Sequence, residues 1–337
     1  MQKWMNVVGM TVAALAALAP IPAAAQTSGD DWTVSRTPDG QPDLGGVWAN
    51  NSVTPLERPD VWVGKTTLTD EDLAELKAAA AEVTASGLDA QFGDQLVQAA
   101  LAGISDADSY DTTGNYNQFW LADRDFDNDR TSLIIDPTDG KIPARTADAE
   151  LAGRGVPPPI IAPKADSWAD RPLSDRCLTF GVPNLLAGYN SYYQILQSRD
   201  NVVILMEMIH DARIIPIAGP PHVSDGIRQL HGDSRGRWEG DTLVVETTNY
   251  SDLGLFWNAA DAFRLTERFT RVGPDTLHYE ITFEDQTTWT SPWTVSIPLK
   301  HSVEPMFEYA CHEGNIGMEG ILSGYRAQER RTTEASR

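Results

Sequence analysis

The sequence predicts a mainly β protein: an antiparallel meander closing into a β-barrel, preceded by a helical and loop-rich N-terminal elaboration. Three observations lead there. From Tyr192 to Glu313, apolar residues recur at a period of two. Short turns such as Asp211-Ala212, Glu239-Gly240-Asp241 and Gly273-Pro274-Asp275 separate the runs, which is hairpin punctuation. A long meander with one apolar face per strand hides its edges by closing on itself.

Taken in order, residues 1–25 read as a signal peptide. Lys3 is its one charge, Val7 to Leu18 is apolar, and Ala23-Ala24-Ala25 is a small-residue cleavage site. The apolar stretch is too short for a membrane span, which needs roughly 20 residues. Residues 26–175 form the elaboration: a Pro/Gly-rich arm, a short strand at Gly45-Gly46-Val47-Trp48-Ala49, then helices. Thr69 is the expected N-cap of the first helix, Asp70, Glu71 and Asp72 fill its positive first turn, and Gly87 is its stop. A second helix is expected within 90–103. Two strands are expected between Asn115 and Ile135, around the acidic turn Asp123 to Asp129. The spacing of Asp125, Asp127 and Asp129 suggests a calcium loop. However, Arg130 stands where glycine is needed and Asp136 where glutamate is needed, so a solvated turn is the reading. Residues 137–175 are a Pro-rich linker.

The barrel domain spans residues 176–330. Its strands are expected at Tyr193–Gln197, Val202–Ile209, Arg213–Ile217, Arg237-Trp238, Thr242–Thr248, Phe263–Val272, Thr276–Glu284, Trp289–Leu299 and Met306–Cys311. Cys177 and Cys311 are the only cysteines. In an exported chain two thiols usually pair, so they are expected to form a disulfide. A formal charge of −22 disfavours nucleic acid and anionic membranes as partners. The periplasm or the exterior is the expected location.

Ionisable side chains on apolar strand faces mark the candidate site. Glu267 falls on one face with Phe263, Leu265 and Phe269. A carboxylate there must be paired, hydrogen-bonded or used. Arg264, Arg268 and Arg213 are the candidate structural partners. Left unpaired in apolar surroundings, Glu267 would have a raised pKa and could exchange protons with an imidazole. Tyr279 shares its face with Leu277, Ile281 and Phe283 and could polarise a substrate oxygen. His210 lies on the face of Val202, Ile204, Met206 and Met208; His312 lies on that of Met306, Glu308 and Ala310; His231 reaches in from a loop. Trp289, Trp293, Phe263, Phe269 and Phe283 are the expected substrate-binding wall.

Competing chemistries are weaker. Three imidazoles can hold zinc, but His210, His231 and His312 lack a local metal-ligand spacing, and His312-Glu313 is not followed by a second histidine at residue 316. Ser234 sits two residues from Gly232 and from Gly236, yet no helix is expected after it, as a nucleophile elbow requires. No dinucleotide or phosphate-cradling glycine motif is present, so no cofactor is expected.

Four segments carry a resemblance: Thr37-Pro38-Asp39-Gly40-Gln41-Pro42-Asp43-Leu44, Glu207 to Pro216, Gly232 to Glu246, and Glu308 to Asn315. With them the chain resembles a largely uncharacterised family of exported bacterial proteins. Gly46-Val47-Trp48 before a meander also resembles the lipocalin pattern. The expected function is cofactor-free acid–base chemistry, of lyase, hydratase or isomerase type, on a small hydrophobic molecule, aromatic or isoprenoid. The alternative is a periplasmic lipocalin-like carrier, because fold alone does not choose between them.

Overall fold

The computed structural model describes residues 32–86, 90–103, 121–157, 165–254, 256–259 and 262–335. The described sheet, helices and disulfide all lie within the compact unit Thr33–Arg337. The expected signal peptide, the helix stop at Gly87 and the strand expected near Asn115 lie outside the described residues.

An antiparallel sheet dominates. Its strands are β1 (Gly46–Ala49), β2 (Ile134–Asp136), β3 (Tyr192–Gln197), β4 (Asn201–Met206), β5 (Ala212–Pro216), β6 (Asp233–Glu239), β7 (Thr242–Thr248), β8 (Arg264–Arg271), β9 (Thr276–Glu284) and β10 (Trp293–Ser302). The path across the sheet is β5-β4-β3-β1-β10-β9-β8-β7-β6, with β2 paired separately to β10. β1 therefore lies between β3 and β10, joining the N-terminal segment to the heart of the later strands. Alternation decides the faces. On β9, Leu277, Tyr279, Ile281 and Phe283 are all buried, while the residues between them are not.

The expected closure into a barrel is not seen as a continuous ladder. The path holds nine strands, each antiparallel to its neighbours, so its two ends run in the same direction. They meet at one isolated parallel bridge, Ile217 with Gly236, where the Ala218 N–H donates to the Gly236 carbonyl at 3.0 Å. Pro216, Pro220 and Pro221 bring no N–H to extend it, and Ala218 turns away with φ 50°.

Other departures are local. The strand expected over Val202–Ile209 stops at Met206, because Ile209 and His210 adopt left-handed φ values of 55° and 49°. Trp289 precedes β10, and Met306–Cys311 forms no strand. Neither face of that segment is buried, and Phe307 is 71 % exposed, so no packing holds it in a ladder. Beyond it lies α4 (Gly317–Ala335), which the strand pattern did not suggest.

The expected helices form as α1 (Asp70–Ala85) and α2 (Gln95–Ala102), followed by the short α3 (Ala147–Ala152). Thr69 closes a capping box on α1: its hydroxyl accepts from the Asp72 N–H, and Asp72 accepts from the Thr69 N–H at 2.7 Å. Hydrogen bonds from Lys65 and Thr69 hold the Asp72 carboxyl well below the usual carboxylate range. Leu76, Ala80 and Val83 of α1 pack with Leu96, Val97 and Ala100 of α2 as a small core beside the sheet. No helix of the described residues is long and apolar enough to cross a membrane.

Cys177 and Cys311 form a disulfide across 134 residues. It ties the irregular segment after β10 to the loop before β3. Replacing both cysteines by serine should lower unfolding stability by about 4–5 kcal/mol at most in a chain-entropy account. Urea unfolding of the two forms checks this; unchanged stability would mean that the C-terminal segment is held by other contacts.

Candidate functional site

Glu267 on β8 is fully buried, as are Leu265 and Phe269 on either side of it. Its partner is Arg213 of β5, itself 6 % exposed. Arg213 donates from Nη1 to Oε1 at 2.9 Å and from Nη2 to Oε2 at 2.5 Å, a bidentate fork. The Tyr279 hydroxyl donates to Oε1 at 2.6 Å. Arg213 Nη2 also reaches Ser234 Oγ at 3.2 Å and Thr247 Oγ1 at 3.3 Å. Arg264 and Arg268 alternate to the other face, where Arg268 pairs with Glu239.

The electrostatics follow from this geometry. Burial alone would push Arg213 down, but the Glu267 charge and hydrogen bonds reverse it and hold the guanidinium above its usual value. Burial, reinforced by the Glu267 charge, lifts Tyr279 well above the ordinary phenol range, so it remains a donor. Both carboxylate oxygens are thereby occupied. Glu267 is held by Arg213 and Tyr279, the structural pairing weighed in the sequence against an exchanging acid or base.

The three imidazoles do not join that anchor. His210 and His312 are exposed, with ring centroids 6.0 Å apart. The left-handed turn at Ile209 takes His210 off the β4 face. His231 is different: its side chain is 22 % exposed and held on two sides. Its Nε2 lies 2.9 Å from Thr179 Oγ1 and 3.3 Å from Asp211 Oδ1. Thr179 donates its one hydroxyl proton to Asp211 Oδ2 at 2.7 Å, and Phe180 N–H donates to the same oxygen at 3.1 Å. Thr179 Oγ1 is thus left as an acceptor, and it also receives the Gly181 N–H. The network assigns the donor role to His231 Nε2, so that in the neutral ring the lone pair falls on Nδ1. An imidazole oriented by a carboxylate is the arrangement a general base requires.

The local chain explains this placement. Asp211, Arg213 and Ile215 are buried at a period of two, so Asp211 continues the inward face of β5. The loop carrying His231 is stapled from both sides. Asn249 Nδ2 donates to the carbonyls of Val223, Ser224 and Ile227, and Asp233 accepts from Val223 N–H and contacts His222 Nδ1 at 2.9 Å. Sequence reasoning missed Asp211, Thr179 and His222. The period-two line from Asp211 to Ile215 was the available signal for the first.

Glu207, just ahead of the turn, is 6 % exposed, and its Oε2 has no partner among the described residues. Burial raises its pKa, and backbone donors from Phe307 and Tyr192 only partly offset this. A raised carboxyl favours the folded state in acid, and that stability is lost as pH rises through the elevated value. Glu207→Gln should therefore flatten the decline in melting temperature as pH rises above the ordinary carboxylate range. Identical slopes would show that Glu207 stays ionised throughout.

The aromatic wall is split. Phe269 stacks on Tyr279 at 4.4 Å beside the anchor. Phe263, Phe283, Trp289 and Trp293 gather with Phe256 and Trp257 at one end of the sheet. Phe283 stacks on Trp293 at 4.0 Å, and Trp289 meets Trp293 edge-on at 5.7 Å. These rings pack on one another. Two surface cavities, of about 420 and 380 Å³, share no residue with this cluster. The cluster and the histidine still share an end. Trp293 pairs with Phe283, Phe283 with Leu265, Leu265 with Thr247, and Thr247 with Ser234, whose hydroxyl contacts Arg213.

Among the described residues no group of three or more His, Cys, Asp or Glu is placed to hold a metal ion. Lys300 neutralises Asp127 of the acidic turn at 3.1 Å. No protein-family model, curated protein or solved structure matches this chain.

Proposed function

We propose that the protein is an exported enzyme performing acid–base chemistry, of lyase, hydratase or isomerase type, on a small hydrophobic molecule, with His231 moving the proton. One observation carries the reading: His231 is held by Asp211 and Thr179 so that Nδ1 is left as an acceptor. Tyr250 lies against Gly232, next to His231, and packs on Phe263 of the ring cluster, an apolar surface suited to an aromatic or isoprenoid substrate. Arg213, Glu267 and Tyr279 brace the strand from which Asp211 projects. Export rests on the leader-like residues 1–25 and on the Cys177–Cys311 bridge. The path of strands, with its ends bridged once, supports a lipocalin-like arrangement.

The test is incubation of the full chain with aromatic and terpenoid candidates, with products followed by mass spectrometry. Turnover that disappears in His231→Ala while ligand binding persists supports the enzyme. Stoichiometric binding without product from the unaltered protein would replace it with the carrier.

A further inference from the structure

Two of the segments singled out in the sequence, Glu207 to Pro216 and Glu308 to Asn315, each contain one histidine, and the proposed reaction uses neither. The fold brings the two together. The His210 and His312 rings lie with centroids 6.0 Å apart and planes inclined by 31°. Both residues are exposed. His222 and His231 each face a carboxylate. His210 and His312 face one another instead, with no hydrogen bond or ion pair to either ring among the described residues.

The main chain fixes where each ring starts. Ile209 and His210 adopt left-handed φ values of 55° and 49°, and the His210 N–H donates to the Glu207 carbonyl at 3.1 Å, so the chain reverses and carries His210 off β4. His312 follows Cys311, which the disulfide ties to Cys177. Beyond it the Asn315 N–H donates to the His312 carbonyl at 3.3 Å, and the Asn315 side chain donates to the Asp175 carbonyl at 3.4 Å. Both backbones are thereby held, while each exposed side chain keeps its own rotations.

An ion bound by two imidazole nitrogens at about 2.0–2.1 Å separates the ring centres by roughly 4.5–6.5 Å, depending on the angle at the metal. The observed 6.0 Å falls within that range. Imidazole suits zinc, copper and nickel, whereas magnesium and calcium take oxygen ligands, and copper(II) heads the divalent affinity order. We propose that His210 and His312 form a two-histidine site for a divalent ion of this imidazole-preferring class, copper(II) most tightly. Among the described residues no third His, Cys, Asp or Glu joins them, so the other positions of the ion are open to water or to a donor from another molecule. The ion clasps the turn between β4 and β5 to the segment after β10. Because the folded chain holds the two rings together, binding stabilises it. The pair adjoins the proposed base along the chain: Asp211 follows His210, and Thr179 shares a loop with Cys177. The metal site does not rest on the enzymatic reading.

The experiment titrates the full chain calorimetrically with copper(II), zinc(II) and magnesium chlorides, and reads the copper form by electron paramagnetic resonance. One copper ion per chain should bind tightly, zinc more weakly, and magnesium not at the pair. The spectrum should show two nitrogen donors. Loss of an outer-shell partner alone costs about 10–100-fold in metal affinity, so His210→Ala and His312→Ala should each weaken copper by about 100-fold or more. Each should leave one nitrogen donor. His278→Ala, which removes an exposed imidazole on β9, should change neither readout. Copper should raise the melting temperature of the unaltered chain and not that of the His210 and His312 variants. Their metal-free melting curves, matching the parent because both side chains are exposed, show that they fold. Absence of copper binding would overturn the proposal. So would fewer than two nitrogen donors in the unaltered chain, or binding that survives the double variant, either of which means an adventitious ion only. Copper lost in His231→Ala but retained without the pair would place the ion at the proposed base and overturn it as well. A chain that binds copper through the pair and turns nothing over keeps this site and loses the enzymatic reading.

Discussion

Arg213→Met is expected to lower the unfolding free energy by about 3–5 kcal/mol. The reason is what it leaves behind. Glu267 is fully buried, and without the guanidinium its charge faces only the Tyr279 hydroxyl. Ser234 and Thr247 also lose a donor, although they retain each other at 2.9 Å. Removing both charges should cost far less. Arg213→Met combined with Glu267→Leu replaces a desolvated pair by apolar volume, an exchange that is often neutral or favourable. Urea unfolding of the two single variants and the double variant closes the cycle. A large single-variant cost with substantial recovery in the double identifies the pair as an anchor. Small single-variant effects would mean that water reaches Glu267 and that the strand ends open more than the structure shows.

Activity should respond in the opposite pattern. His231→Ala is expected to reduce kcat by about 10²–10⁴-fold, with stability within about 1 kcal/mol of the parent because the side chain lies near the surface. Asp211→Asn should produce a loss of similar order, roughly 10²–10⁴-fold. An amide that turns its NH₂ towards Nε2 favours the proton on Nδ1 and removes the acceptor. Thr179→Val tests the other contact, since it deletes the hydroxyl that sits between the carboxylate and the ring. Steady-state kinetics on a substrate from the product screen, with melting curves in parallel, provide the measurement. Activity retained in His231→Ala would place the chemistry elsewhere.

Much of the architecture was legible because it is local. The hairpin turns, the period-two faces and the capping box at Thr69 each depend on residues within one element. Glu267 and Tyr279 were found together for the same reason: each breaks or tempers an otherwise apolar face. Choosing Arg213 over Arg264 and Arg268 needed one further step, since the latter two alternate to the opposite side of β8. The rest depends on long-range facts. The eight strands β3 to β10 become a nine-strand path only because β1 inserts between β3 and β10, and that odd number makes the two edges meet in parallel. His210 left its face because of a backbone reversal at Ile209 that no side-chain period reports. Thr179 and Asp211 lie 32 residues apart and meet at the end of a strand, where no spacing rule operates. The disulfide was legible from cysteine count and expected compartment, whereas the irregular segment it anchors was not.

The central claim is that the neutral His231 ring carries its proton on Nε2 and its lone pair on Nδ1. Nitrogen-15 NMR of the ring in the full, histidine-labelled chain at alkaline pH reads this directly, with His231→Ala supplying the assignment. The expected spectrum shows Nε2 at the shift of a protonated, pyrrole-type nitrogen and Nδ1 at that of a bare, pyridine-type one. The reverse pattern, with the proton on Nδ1, would contradict it, because Nδ1 would then have no pair with which to accept a substrate proton.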